Sequence, residues 1–202
     1  MESKRNHLML DFETLSANNN IPALLSVGAV IFDPHVPSDF LEFYREIDVQ
    51  SSVDLGGEIS IDTVRWWCNQ SFEAKQIITK PKEPIKIEIV FQELYDFCKN
   101  NKIKYVWSQG LNFDIIIAEN YFKKLNIKPP WLYYNAYDTR TLYNFTGITK
   151  TKFDGVKHNA LDDARMQTID ICRCFIGFRN LMEKIKSIPP VTAPPLTLPP
   201  DL

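Results

Sequence analysis

No stretch of this 202-residue chain approaches the roughly 18 consecutive apolar residues that a bilayer-spanning helix needs. The opening Met1-Glu2-Ser3-Lys4-Arg5-Asn6-His7 also lacks a following signal-type hydrophobic region, so the expectation is a cytoplasmic protein with no membrane partner. Cationic excess is missing as well. The 23 Lys and Arg stand against 25 Asp and Glu, a net charge of -2, which excludes a broad basic face that would hold polyanions unselectively. A compact site needing only a few phosphate contacts is not excluded. Cysteine is scarce: Cys68, Cys98, Cys172 and Cys174 match no zinc-ligand template and read as reduced, buried thiols.

What is present is the balance of a globular protein, 45% hydrophobic and 24% charged, at a length suited to one domain with a sizeable core. Apolar runs at Leu8-Met9-Leu10, Leu25 to Phe32 and Phe40 to Ile47 have short connections, which predict an antiparallel meander. Helical spacing follows over Ile61 to Ile78 and Ile85 to Lys99. A strand is expected at Lys104 to Ser108, a helix at Asn112 to Leu125, a short strand at Tyr133 to Tyr137 and a helix at Thr139 to Phe145. After a polar loop, Thr146 to Lys157, a long helix runs from Ala160 to Lys186. This order implies an α/β fold with a mixed sheet flanked by helices. Residues 1–187 form the expected domain, and 188–202, with six prolines in fifteen residues, an extended tail.

Asp11 and Glu13 lie two apart on the first strand, so both side chains leave the same face and repel unless a cation joins them. Taken alone, the pair is also what a solvated strand end with chance acids would show. Asp114 opens an apolar helix after Trp107-Ser108-Gln109-Gly110-Leu111-Asn112-Phe113, where an acid also simply suits the helix dipole. His158 and Asp163 are five residues apart, about 140° around a helix, so they face one site only if His158 lies in the loop before it.

The ordered set of Asp-x-Glu, a mid-chain Asp and His-x4-Asp resembles the DEDDh exonucleases, which include the proofreading exonuclease of DnaQ type and RNase T and share the RNase H-like fold. The segments Asp11-Phe12-Glu13-Thr14, Trp66-Trp67-Cys68-Asn69-Gln70-Ser71 and Ser108-Gln109-Gly110 look closest to the phage DexA-like branch. The resemblance implies a sheet of three antiparallel strands followed by parallel ones, and a 3'-5' exonuclease acting on nucleic acid 3' ends, DNA ahead of RNA. It assigns Asp11, Glu13, Asp114 and Asp163 to two Mg2+ ions, with Mn2+ as substitute, and His158 as general base; Asp162 is the runner-up to Asp163. For a phage-encoded enzyme the location is the host cytoplasm, and a homodimer is left open. Substrate contacts are expected from Thr14, Trp66 or Trp67, Gln70 and Asn112, although adjacent tryptophans on a helix cannot both face a groove. Lys150, Lys152 and Lys157 are candidates for backbone phosphates or for a merely solvated loop. An RNase H-like endonuclease and an inactive binding relative are the competing readings.

Overall fold

The computed structural model describes residues 4–17, 21–110, 112–152 and 155–185; the proline-rich segment 188–202 and the end of the expected long helix at Lys186 lie outside them. Its five-stranded sheet has the order β3-β2-β1-β4-β5. β1 (His7–Thr14), β2 (Leu24–Asp33) and β3 (Val36–Glu46) form the antiparallel meander. β4 (Tyr105–Ser108) and β5 (Ala136–Asp138) extend the sheet in parallel on the other side of β1. This is the mixed topology anticipated above.

Alternation on the central strands sorts two cores. Leu8, Leu10 and Phe12 pack with Val27, Ala29 and Ile31 beneath α4 (Ile87–Asn100) and α5 (Asp114–Lys124). Met9, Val30 and Phe32 face the other way, against α6 (Thr139–Thr146) and the long α7 (Ala160–Ile185). The parity of β1 therefore sends Asp11 and Glu13 to the α7 side, because side chains alternate along a strand.

A helix predicted as one piece from Ile61 to Ile78 is two, α2 (Ile61–Cys68) and α3 (Gln76–Thr79). The break lies in side-chain competition for the backbone: Asn69 Nδ2 donates to Arg65 O at 3.1 Å and Gln70 Nε2 to Trp66 O at 3.0 Å, closing off the last carbonyls of α2. Between β3 and α2 a short helix unforeseen in the sequence, α1 (Val49–Asp54), starts at Asp48, whose carboxylate accepts from Gln50 N–H. Much of the strand expected at Tyr133 to Tyr137 is a 3-10 turn, Tyr133–Asn135, leaving three residues to pair as β5. Cys98, Cys172 and Cys174 are buried free thiols, but Cys68 is exposed at the end of α2, a departure from the expected burial of all four.

Gly28 sets the spacing between sheet and helix. A Cβ there would stand 2.2 Å from the carbonyl carbon of Ala160, so only glycine lets the first turn of α7 rest on β2. Gly28 is the register partner of Asp11. The same close approach thus carries the start of α7 to the carboxylates of β1.

Candidate active site

β1 and β4 pair through Met9 and Trp107 and then diverge, opening a crevice at their C-terminal ends where the strand order switches direction. Beyond the split, Phe12 N–H has no strand to pair with and instead donates to Asp114 Oδ1 at 3.0 Å. That bond pins the head of α5 to β1 and draws Asp114 to the Asp11-Phe12-Glu13 segment.

The opposite wall is the start of α7. Asn159 caps it, its side-chain oxygen accepting from Leu161 N and Asp162 N at 3.1 and 3.2 Å. Just before the cap, His158 has φ of 63°, a left-handed conformation that costs a non-glycine residue about 1 to 3 kcal/mol and requires fixing. The fixing contact is His158 N–H to Asp163 Oδ2 at 3.0 Å. His158 thus lies in the loop before the helix, as the 140° separation demanded. Its ring meets Trp66 edge-on at 4.7 Å between centroids.

One cavity of about 250 Å³ is lined by Asp11, Glu13, Asp114, His158 and Asp163 together with Phe12, Gln109, Phe113 and Gln167. Ligand atoms of Glu13, His158 and Asp163 all lie within 4.8 Å of one another. Asp162 points elsewhere: it accepts from Val156 N at 3.0 Å and pairs with Arg165 at 2.8 Å, holding the preceding loop.

The electrostatics are those of a site short of positive charge. Burial, then Asp114, Glu13 and Asp163, drive the Asp11 carboxyl well above the usual range. Burial and the neighbouring Asp163 and Asp114 do the same to Glu13. Asp114 is pushed up to about 7, chiefly by burial, against the opposing help of the Phe12 N–H, its own N–H and the Arg140 charge. Asp163 is raised by burial despite its contact with His158. Among the described residues no Lys or Arg forms an ion pair with any of these four. Buried carboxylates that crowd without a direct ion pair fit a site for hard divalent cations, which prefer carboxylate oxygens.

A second cavity of about 400 Å³ adjoins the first through Phe12, Glu13 and Phe113, and is otherwise walled by Thr14, Ala17, Ser60, Asp62, Thr63, Trp66 and Trp67. The tryptophans divide their work. Trp67 is 1% exposed and donates from Nε1 to Thr14 O at 2.9 Å, whereas Trp66 is 43% exposed. Thr14 is buried, its hydroxyl donating to Ser16 O. Gln70 spends its amide on the Trp66 carbonyl, and Asn112 is exposed between two residues, Gln109 and Phe113, that line the acidic cavity. Lys150 reaches Gln109, Lys152 is exposed, and the charge of Lys157 acts to lower the Asp163 pKa.

Sequence reasoning missed Gln167, whose Nε2 donates to Asp11 Oδ1 at 2.9 Å. Its position one helical turn after Asp163 was the available signal. Gly28, interrupting an apolar strand, was another.

Residues 6–173 match the 3'-5' exoribonuclease Rv2179c-like domain family. The chain belongs to this family. It thereby takes its place among the DEDDh, DnaQ-like 3'-5' exonucleases. No curated protein matches it in sequence. Among solved structures, the zinc-bound Escherichia coli ExoI–ssDNA complex superposes with a TM-score of 0.56 at 12% identity, over 89% of this chain and 42% of that one. The chain spans less than half the length of ExoI, and the likeness shows the shared RNase H-like fold. A 3'-exonuclease solved with a histone mRNA stem-loop aligns over 88% of this chain and 81% of that chain, with a TM-score of 0.48 at 15% identity.

Proposed function

We propose that this chain is a 3'-5' exonuclease that releases nucleoside 5'-monophosphates one at a time from a single-stranded 3' end. The observation that carries the reading is the convergence of Asp11, Glu13, Asp114, Asp163 and His158 on one cavity beside an aromatic cleft. The four carboxylates would hold two divalent cations, Mg2+ by preference and Mn2+ as substitute, which when bound supply Lewis-acid stabilisation of the phosphate oxygens and the departing oxygen.

The chain's own groups do the rest. Trp66 presents an exposed ring on which the terminal base stacks without sequence preference, worth about 1 to 3 kcal/mol. Trp67 holds that wall in place through Thr14. The His158 imidazole takes the proton of the attacking water as the bond from phosphorus to the penultimate 3' oxygen breaks, and its backbone N–H to Asp163 aims it. Gln167 orients Asp11. Gln70 has its amide nitrogen engaged along α2. His158→Ala should abolish turnover while leaving metal and strand binding intact.

DNA has support from the DexA-like motifs. RNA has support from the family's description, which spans residues 6–173, and this broader match moves our expectation to RNA. Digestion of 5'-labelled DNA and RNA oligonucleotides with Mg2+, beside an Asp11→Ala control, tests both points. A ladder shortening from the 3' end and absent in the control is expected; a nicked circle cut internally would turn the reading to an endonuclease.

A further inference from the structure

Two cations, Arg140 and Lys150, lie on the β4 side of the acidic cavity. α6 begins at Asp138, whose carboxylate accepts from Arg140 N at 3.1 Å and Thr141 Oγ1 at 2.9 Å. The nearest acid in sequence is thus committed to other donors. The Arg140 guanidinium instead stands against Gly110, with Nη1 3.2 Å from where a Cβ would be. Gly110 has φ of 119°, so a side chain is disfavoured there on backbone grounds as well as by the guanidinium. From the other side, Lys150 Nζ donates to Gln109 Oε1 at 2.8 Å and lies 5.4 Å over the Tyr143 ring. Among the described residues neither cation forms an ion pair with a carboxylate.

Two positive charges, neither ion-paired to a carboxylate among the described residues, therefore bracket the Ser108-Gln109-Gly110 turn. The turn is at the cavity mouth: Gln109 lines it, and Phe113, which also lines it, donates its N–H to Gly110 O at 3.2 Å. Its position in the sheet matters. Trp67 packs with Leu25 of β2, which places α2 and the Trp66 cleft on the β2 side of β1; Gln109 follows β4, on the opposite side. A strand with its terminal base in the Trp66 cleft would then cross the carboxylates and leave over the Gln109–Gly110 turn. A guanidinium fork and an ammonium at that exit suit a phosphodiester, which the planar fork engages through two parallel N–H donors.

We propose that Arg140 and Lys150 form a phosphate clamp for the linkage immediately 5' of the scissile bond. The clamp rests on the nucleic-acid reading above. It explains how a chain of net charge -2 grips a polyanion: cations are concentrated at the strand's exit rather than spread over a face.

The test uses oligonucleotides carrying one neutral methylphosphonate at the first, second or third linkage 5' of the scissile bond, digested by the wild-type chain and by Arg140→Gln, Lys150→Gln and the double variant. With wild type, neutralising the first linkage should raise KM about tenfold, the equivalent of one charge-assisted contact, and the other positions should matter less. The double variant should show the raised KM on the unmodified strand and no further loss at the first linkage. Its salt dependence of binding should flatten by about 0.7 in log–log slope for each contact removed. Arg140→Lys, which keeps charge but loses the fork, should fall between. An undiminished methylphosphonate effect in the double variant, or a fall in kcat with KM and salt slope unchanged, would overturn the clamp. If Arg140→Gln does not fold, Arg140→Lys and Lys150→Gln in the exposed loop carry the same comparison. Wild type that digests no oligonucleotide with Mg2+ or Mn2+ sinks the exonuclease reading itself, whereas digestion indifferent to every methylphosphonate sinks only the clamp.

Discussion

The two ends of β1 bury titratable side chains in opposite ways. At its start, His7 sits among Phe32, Tyr105, Trp107 and Phe175, and its Nδ1 accepts from Trp107 Nε1 at 2.9 Å. Burial lowers its pKa to about 4, against the pull of Asp33, so the ring is neutral. At its end, Asp11 and Glu13 meet Asp114 and Asp163, and burial with mutual repulsion raises their pKa values. One end holds a neutral ring anchored by Trp107. The other crowds four carboxyls with no ion-paired Lys or Arg among the described residues, and that difference singles out the candidate functional end more firmly than a histidine or an acid taken singly.

The largest effect should come from breaking the acidic end. Asp11→Asn keeps an oxygen for Gln167 but removes a charge, and should lower exonuclease rate on the order of 1,000-fold. In EDTA the same variant should melt above wild type, because repulsion is relieved; a lower melting temperature for Asp11→Asn would show that the carboxylate is compensated after all.

Gly28→Val attacks the geometry without touching a carboxylate. Its side chain would press on the Ala160 carbonyl and displace the start of α7 from β1, lowering activity about 100-fold by misplacing Asp163 and His158. Full activity would mean that α7 need not rest on β2.

The ends should also respond oppositely to pH. His7 ordinarily titrates at 6.5 and folds with a value of about 4, so the unfolded chain binds the extra proton between them. Stability contributed at this end is full above pH 6.5 and declines as pH falls toward 4, by about 3 kcal/mol. Asp114 rises from 3.8 to about 7, so here the folded chain holds the extra proton, and stability without metal declines as pH rises between those values. Melting curves of His7→Phe and Asp114→Asn in EDTA should lose opposite slopes. Saturating Mg2+ should cancel the Asp114 slope and leave that of His7; Mg2+ without effect on either would count against the metal site.

The smallest contrast separates the tryptophans. Trp67→Phe deletes the bond to Thr14 O and should cost about 1 kcal/mol or more in stability. Trp66→Ala should barely alter melting while raising KM. The reverse pattern would exchange their roles.

Much of this arrangement was legible before folding. The alternation of β1, the spacing of Asp11 and Glu13, and the five-residue step from His158 to Asp163 are local facts, because strand and helix periods fix side-chain direction. Carried by the family resemblance, they also pointed to the chemistry. Less legible were the points where the backbone has competing partners. Asn69 and Gln70 read as part of a continuous helix, yet their amides terminate α2. Tyr133 to Tyr137 has strand-like residues, but of these only Ala136 and Tyr137 find β4 to pair with.

The sequence by itself determined which side chains carry charge, which face of β1 they leave from, and that His158 must precede its helix. Tertiary structure alone decided that Trp67 is core and Trp66 surface, that Asp162 turns to Val156 and Arg165, and that Arg140 and Lys150 meet at one turn. The reason is physical. Periodicity acts over a few neighbouring residues, whereas these choices depend on Gly28 admitting α7, on the parting of β1 from β4, and on hydrogen bonds such as that from Phe12 to Asp114, which joins residues 102 positions apart.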